Sequence, residues 1–378
     1  FYDDISTLSI LGEIEVDATK SLSIGANIQT NSYTTTFQQE AWNLPKIEGA
    51  IFGKYKNNNW YANANIFFVG KRMDVQYNGT FPSTIANIES LDAFTDINLN
   101  GGYHFTDFFS AFIKLNNILG TDYDRYANYN VLGLQALAGI TYKFDRNFSA
   151  SVDFYQIQVD DRVLFSSQIG SDGDDTTTNP VEQILQANNV VAVQVFINAG
   201  DTKTTGADIV LNYRNIEMGE GKLHASFAAN FNKTTIDAIN TPQTIADAGY
   251  DIFDRQEQGL ITNSRPRSKM VLGLNYIGDA WDVSLNNTRF GEVTVTAPAS
   301  GTDQELSAKI TTDLGLGYKL TDRITFNANI NNIFDVYPDV TKASTGTSQA
   351  GSRFMYSSEV QQLGQLGTNY MVGINYQF

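Results

Sequence analysis

The chain has 378 residues and no cysteine, and it is 42% hydrophobic, 12% aromatic and only 17% charged. This composition excludes a disulfide framework, a thiolate metal site and a disordered chain. No run approaches the roughly 18 to 20 consecutive apolar residues of a transmembrane helix, and a net charge of −16 disfavours nucleic acid, whose phosphates require clustered Lys and Arg.

Phe1-Tyr2-Asp3-Asp4 has neither a basic start nor an apolar run. A secretion leader is therefore expected to have been removed, or the chain to begin mid-protein. From there period-two alternation dominates. Strands are expected at about 8–18, 20–30, 46–56, 60–70, 93–105, 108–117, 131–144, 147–165, 192–214, 222–233, 267–277, 281–291, 308–320, 323–332 and 367–378. The alternation is cleanest at Leu132, Leu134, Ala136, Ala138, Ile140, Tyr142 and Phe144, between which small or polar residues stand. Apolar outward and polar inward is the pattern of a strand between lipid and a wet lumen. A mean hydropathy of −0.24 fits, because such strands average to a neutral window. Tight turns such as Lys56–Asn59, Thr106-Asp107, Gly278–Ala280 and Thr321-Asp322 take turns with long polar loops. A β-sandwich has no reason for that asymmetry, whereas outer-membrane barrels pair short periplasmic turns with long extracellular loops. The expected fold is all-β, a transmembrane antiparallel barrel with about 15 or 16 strands in this chain.

Compared with itself, the sequence repeats. Pro45, Tyr55, Trp60 and Gly70 match Pro266, Tyr276, Trp281 and Gly291 at one offset. Leu99, Tyr103, Thr106, Asp107, Asn116, Asn117, Ile118 and Asp124 match Leu314, Tyr318, Thr321, Asp322, Asn331, Asn332, Ile333 and Asp339 at a second. Gly139-Ile140, Tyr142 and Phe144 match Gly373-Ile374, Tyr376 and Phe378 at a third. The offsets change only across long loops, so two barrel-like blocks are expected, 1–144 and 145–378, each ending in an alternating strand that closes on an aromatic residue.

A terminal strand ending Tyr376-Gln377-Phe378, preceded by YKLTDRITFNANINNIFDVYPD at 318–339, resembles the C-terminal barrel of TonB-dependent receptors in the style of Bacteroidota. A looser copy, YHFTDFFSAFIKLNNILGTDYD, stands at 103–124, and FYQIQVDDRV (154–163) and TTGADIVLNY (204–213) look like mid-barrel strands of the same family. The resemblance implies a 22-stranded barrel type and a bacterial outer-membrane location, with loops extracellular and the C-terminus periplasmic. It implies Tyr376 and Phe378 as the membrane-insertion signal read by the barrel assembly machinery. It also implies TonB as a partner through a plug domain that is not found in this chain, and uptake of a scarce solute such as an iron-siderophore complex. The family has one terminal signature and the chain has two. With an odd strand count, it is expected to be a fragment or a composite of two related segments. The alternative function is a passive porin or a structural barrel in an outer-membrane assembly.

Outer-membrane lipid and lipopolysaccharide are expected partners of the apolar face. Tyr142, Phe144 and Tyr318 are expected in an interfacial girdle, where amphipathic rings sit at headgroup level. The acidic run Gly170-Ser171-Asp172-Gly173-Asp174-Asp175 offers Asp172, Asp174 and Asp175 as weak metal ligands, without the distal Glu of a calcium loop. The two histidines, His104 and His224, stand in strand or turn patterns with no triad or zinc spacing. No catalytic residue, resident cofactor or enzymatic activity is expected, and ligand contacts should come from lumen-facing positions and the outer loops.

Overall fold

The computed structural model describes residues 4–77, 85–121, 123–127, 129–170, 178–342, 354–357, 359–360 and 362–377. Fifteen strands form one antiparallel sheet in which every neighbour in space is a neighbour in chain order. They are β1 (Ile5–Thr19), β2 (Leu22–Thr35), β3 (Ile47–Lys56), β4 (Trp60–Val69), β5 (Phe94–His104), β6 (Phe109–Asn116), β7 (Gln135–Lys143) and β8 (Phe148–Phe165), followed by β9 (Phe196–Met218), β10 (Gly221–Ile239), β11 (Ser268–Ile277), β12 (Trp281–Phe290), β13 (Lys309–Thr321), β14 (Ile324–Asn331) and β15 (Asn369–Tyr376). Each lies where alternation places one. The main difference is that β9 and β10 run well past the expected ends, to Met218 and Ile239.

Turn residues explain the regular hairpins. At four of the short turns one side-chain oxygen accepts two backbone N–H groups. Asn57 Oδ1 accepts from Asn59 and Trp60, Thr106 Oγ1 from Phe108 and Phe109, Asp145 Oδ1 from Asn147 and Phe148, and Thr321 Oγ1 from Arg323 and Ile324. The boundary between the two sequence blocks therefore falls inside one tight hairpin. The two Asn-Asn-Ile runs adopt one geometry at the opposite end. Asn117 (φ 47°) and Asn332 (φ 52°) are left-handed, a conformation Asn tolerates. Their backbone N–H groups donate to Asn98 Oδ1 and Asp313 Oδ1. Each side chain then closes a turn on the residue four places on, Thr121 or Val336, accepting from its N–H and donating to its C=O.

Contacts divide the chain into two units. One comprises Phe1–Gly139, Tyr155–Leu164 and Ile197–Lys203; the other comprises Ile140–Phe154, Phe165–Phe196 and Thr204–Phe378. In the first, register puts Ile51, Ile66 and Ile97 in one row on one face. The opposite face carries the row Asp17, Ser23, Lys54, Asn63, Asn100 and Lys114. In the second, Tyr276, Val283, Leu316, Ala328 and Val372 form one apolar row, and Leu274, Leu285, Leu314, Ile330 and Tyr370 the next. Across that sheet the row His224, Asn275, Ser284, Gly315 and Asn329 is small or polar. Among the described residues the apolar rows are half-buried to exposed, with Ile51 58% and, on the last strand, Val372 73% exposed. A wide exposed apolar surface of this kind requires a nonaqueous neighbour. Among the described residues β1 and β15 each have one strand neighbour.

Candidate functional site

The short-turn end is lined with aromatic residues, as the alternation implies for positions just outside the apolar rows. In the first unit Trp60 and Tyr103 are cross-strand partners with ring centroids 4.7 Å apart, and Tyr103 meets Phe105 edge-on at 4.7 Å. In the second, Trp281 and Tyr318 are paired in the same way at 4.4 Å. Tyr142, Phe144 and Phe148 form a chain of rings spaced 4.5 and 4.7 Å. The expected girdle residues Tyr142, Phe144 and Tyr318 thus share one end of the strands. Tyr376 ends β15 opposite Ile324. Phe378 lies outside the described residues, as do Asp172, Asp174 and Asp175. His104 is exposed beside Tyr61, with centroids 6.1 Å apart, and His224 Nδ1 accepts from Asn215 N at 3.3 Å.

The long connections at the other end are not featureless. In the first unit a hairpin, Arg72–Tyr77 paired with Ile85–Leu91, stands on the loop 117–134. Arg72 is its buried centre. It donates to Asp124 O (2.6 Å) and lies over the Phe94 ring at 5.4 Å, while Phe94 stacks flat on Tyr123 at 3.6 Å. The Tyr123 hydroxyl donates to Asp96 Oδ2 (3.0 Å); burial, with that carboxylate beside it, pushes the phenol well above its ordinary range. Beside the hairpin a cleft of about 330 Å³ is lined by Tyr33, Glu40, Lys46, Lys71, Arg72 and Met73, among others.

In the second unit the loops hold three short helices, α1 (Pro180–Ala187), α2 (Gln243–Asp247) and α3 (Arg255–Thr262). Asn179 caps α1 ahead of Pro180, and Asp254 Oδ1 caps α3 by accepting from Gln256 and Glu257. Helix α3 packs on a small apolar core of Val293, Val295, Leu306 and Val360 through Leu260. At Gly259 a Cβ would overlap Thr296, so the close approach requires glycine. Arg255 grips Asp303 with both terminal guanidinium nitrogens, at 2.7 and 2.5 Å, and also donates to Ala297 O. That fork holds the Asp303 carboxyl below its ordinary range. Asp339 accepts from Lys309 Nζ (2.5 Å), Ser307 N (2.6 Å) and Ser307 Oγ (2.7 Å). Burial pulls its pKa up, but these donors outweigh burial and bring it to about 2. Glu257 goes the other way, raised by burial and by the nearby Asp254 and Glu359. The loops thus form braced polar surfaces with clefts, an arrangement suited to noncovalent capture.

Sequence reasoning assigned these stretches to loops and singled out none of Arg72, Arg255 or Asp303. Two signals were available: Asn179-Pro180 is an N-cap followed by a first-turn proline, and Asp254 with Glu257 has the capping-box spacing. The tertiary ion pairs leave no local trace.

An antiparallel sheet of alternating strands, with half-buried to exposed apolar rows, aromatic residues at one end and long braced loops at the other, defines an outer-membrane barrel-type protein. The profile of the TonB dependent receptor-like, beta-barrel family matches residues 128–333, more than half of the chain, and the chain belongs to that family. Membership implies an outer-membrane location. No curated protein matches the chain. Solved structures do. The FrpB iron transporter from Neisseria meningitidis superposes with a TM-score of 0.59 at 11% identity, over 99% of this chain and 56% of that one. The siderophore receptor PirA from Acinetobacter baumannii gives 0.55 at 13%, over 99% and 55%, and the ferric yersiniabactin uptake receptor FyuA from Yersinia pestis gives 0.54 at 11%, over 98% and 54%. At such identities the likeness is one of fold, and the chain spans a little over half the length of these structures.

Proposed function

We propose that this chain is barrel sequence of an outer-membrane importer that captures a scarce solute at its long loops and is energised through TonB acting on a plug. The observation that carries the reading is the family match across 128–333. In this reading the long connections face outward, the aromatic short-turn end lies at the periplasmic interface, and the polar face of the sheet lines the lumen. Tyr142, Phe144 and Tyr318 then anchor the inner rim. The protein transports; it performs no catalysis. An iron-siderophore complex is the proposed solute class, supported by similar folds described as iron transporters and siderophore receptors. The braced clefts, with Lys46, Lys71 and Arg72 in one of them, fit an anionic chelate.

The test is uptake of a panel of labelled ferric chelates by cells with and without the gene, each with TonB intact or deleted. The expected result is loss of one chelate when either gene is absent. Unchanged uptake of every chelate overturns the iron reading. Uptake that needs the barrel but survives TonB deletion shows a passive porin instead.

A further inference from the structure

Along the apolar face of β10 to β13 the side chains change character at one level. The row Leu274, Leu285 and Leu314 is apolar, and in the next row Leu272 is followed by Asn287 and Thr312, whose hydroxyl donates to Asn287 Oδ1. One step toward the long loops Met270, Arg289 and Ile310 are paired in a row, and one step further Ser268 O accepts from Gly291 N. Arg289 Nη1 donates to Ser268 Oγ (3.1 Å), and Arg267 Nη2 donates to Asn263 Oδ1 (2.9 Å). With Arg265 these arginines line a cleft of about 240 Å³ in which Glu292 is the one carboxylate among the lining residues. Three guanidinium groups against one carboxylate leave a local positive surplus in a chain whose net charge is −16.

We propose that this cleft holds the phosphate of an outer-leaflet lipid headgroup. Three considerations favour a lipid over a dissolved anion. Arg289 projects from the same face as the apolar rows, so the cleft opens at the rim of the band that acyl chains would cover. Arginine stems lie along apolar surface while the charged heads reach the headgroup layer. The planar guanidinium fork matches phosphate oxygens two at a time, and a protein of this net charge needs a local cationic patch to meet an anionic leaflet. The assignment rests on the outer-membrane reading with the long connections outward.

The test uses the full-length protein purified from outer membranes, its R265Q/R267Q/R289Q variant and the corresponding triple lysine variant. Each is stripped of lipid and exposed to vesicles containing a bis-phosphorylated glycolipid, to phosphatidylcholine vesicles, and separately to inorganic phosphate. Retained lipid is read by native mass spectrometry. The expected result is selective retention of the phosphorylated glycolipid by the natural protein. Affinity should fall roughly fivefold per arginine removed, on the order of a hundredfold for all three, with partial recovery in the lysine variant. Equal retention by the glutamine variant overturns the assignment. So does inorganic phosphate binding as tightly as the lipid, which would make the cleft a site for a soluble anion. Membrane fractionation separates the two levels: a protein missing from the outer membrane sinks the transport reading, whereas an inserted protein with unselective lipid retention sinks only the cleft.

Discussion

Replacing Asp339 by Asn tests how the loops are held. Its carboxylate takes three donors, Lys309 Nζ, Ser307 N and Ser307 Oγ, all within 2.7 Å. They clamp the segment after β14 to the start of β13, a junction that Gln304 reinforces by donating to Val340 O and accepting from Lys342 N. Hydrogen bonds to a charged group contribute about 1.5–3 kcal/mol when buried. Asp339 is 32% and Lys309 19% exposed, so solvent screening reduces the total to about 1–2 kcal/mol. Local opening should therefore become about fivefold to thirtyfold more frequent, without collapse of the sheet. Amide hydrogen exchange of 304–309 and 336–342, corrected for intrinsic rates, measures it. The pH dependence follows from the lowered pKa. The native carboxyl titrates at about 2 against 3.8 for an ordinary aspartate, so its stabilisation is complete above about pH 4 and fades as pH falls toward 2. The natural protein and the variant should thus differ fully at neutral pH and converge near pH 2. Identical exchange at pH 7, or a gap that persists at pH 2, refutes the clamp.

Three further outcomes follow from the geometry. Asn332→Val loses both the left-handed tolerance and the two side-chain bonds to Val336; it should cost about 2–3 kcal/mol in urea unfolding, whereas Asn332→Gly should cost clearly less, and equal costs would remove the backbone argument. Gly259→Ala forces α3 away from Thr296, so exchange at Val293–Val295 should rise while the first unit's loops are unaffected; no change would mean the contact is loose. Arg255→Ala frees the Asp303 carboxylate and the Ala297 carbonyl, so the 291–308 loop should become protease-sensitive in folded protein, and retained resistance would place its brace elsewhere.

The strands were legible because a sheet with an apolar and a polar face imposes period two on every residue it contains, and all fifteen respond to that constraint. The short turns were legible for a related reason: Asn57, Thr106, Asp145 and Thr321 each solve a local hydrogen-bonding problem. The same alternation put Tyr142, Phe144 and Tyr318 near strand ends. The loop architecture was not readable in this way. Arg72 is fixed by Asp124 and Phe94 and Arg255 by Asp303, and Arg289 and Arg265 line one cleft from distant parts of the sequence; none of these associations leaves a periodic trace. The helices α1 and α3 did leave cap signals, but at eight residues each they are too short for periodicity to stand out inside a polar stretch.

Because the chain has no cysteine, single-cysteine labelling tests whether the strands cross an outer membrane with the long connections outside. Ser300→Cys lies on an exposed long loop and Asp279→Cys in an exposed short turn. A membrane-impermeant maleimide applied to intact cells should label the cysteine at 300 fully and the cysteine at 279 only after the outer membrane is permeabilised. Labelling of the cysteine at 279 in intact cells, alone or equally with that at 300, would rule out this orientation.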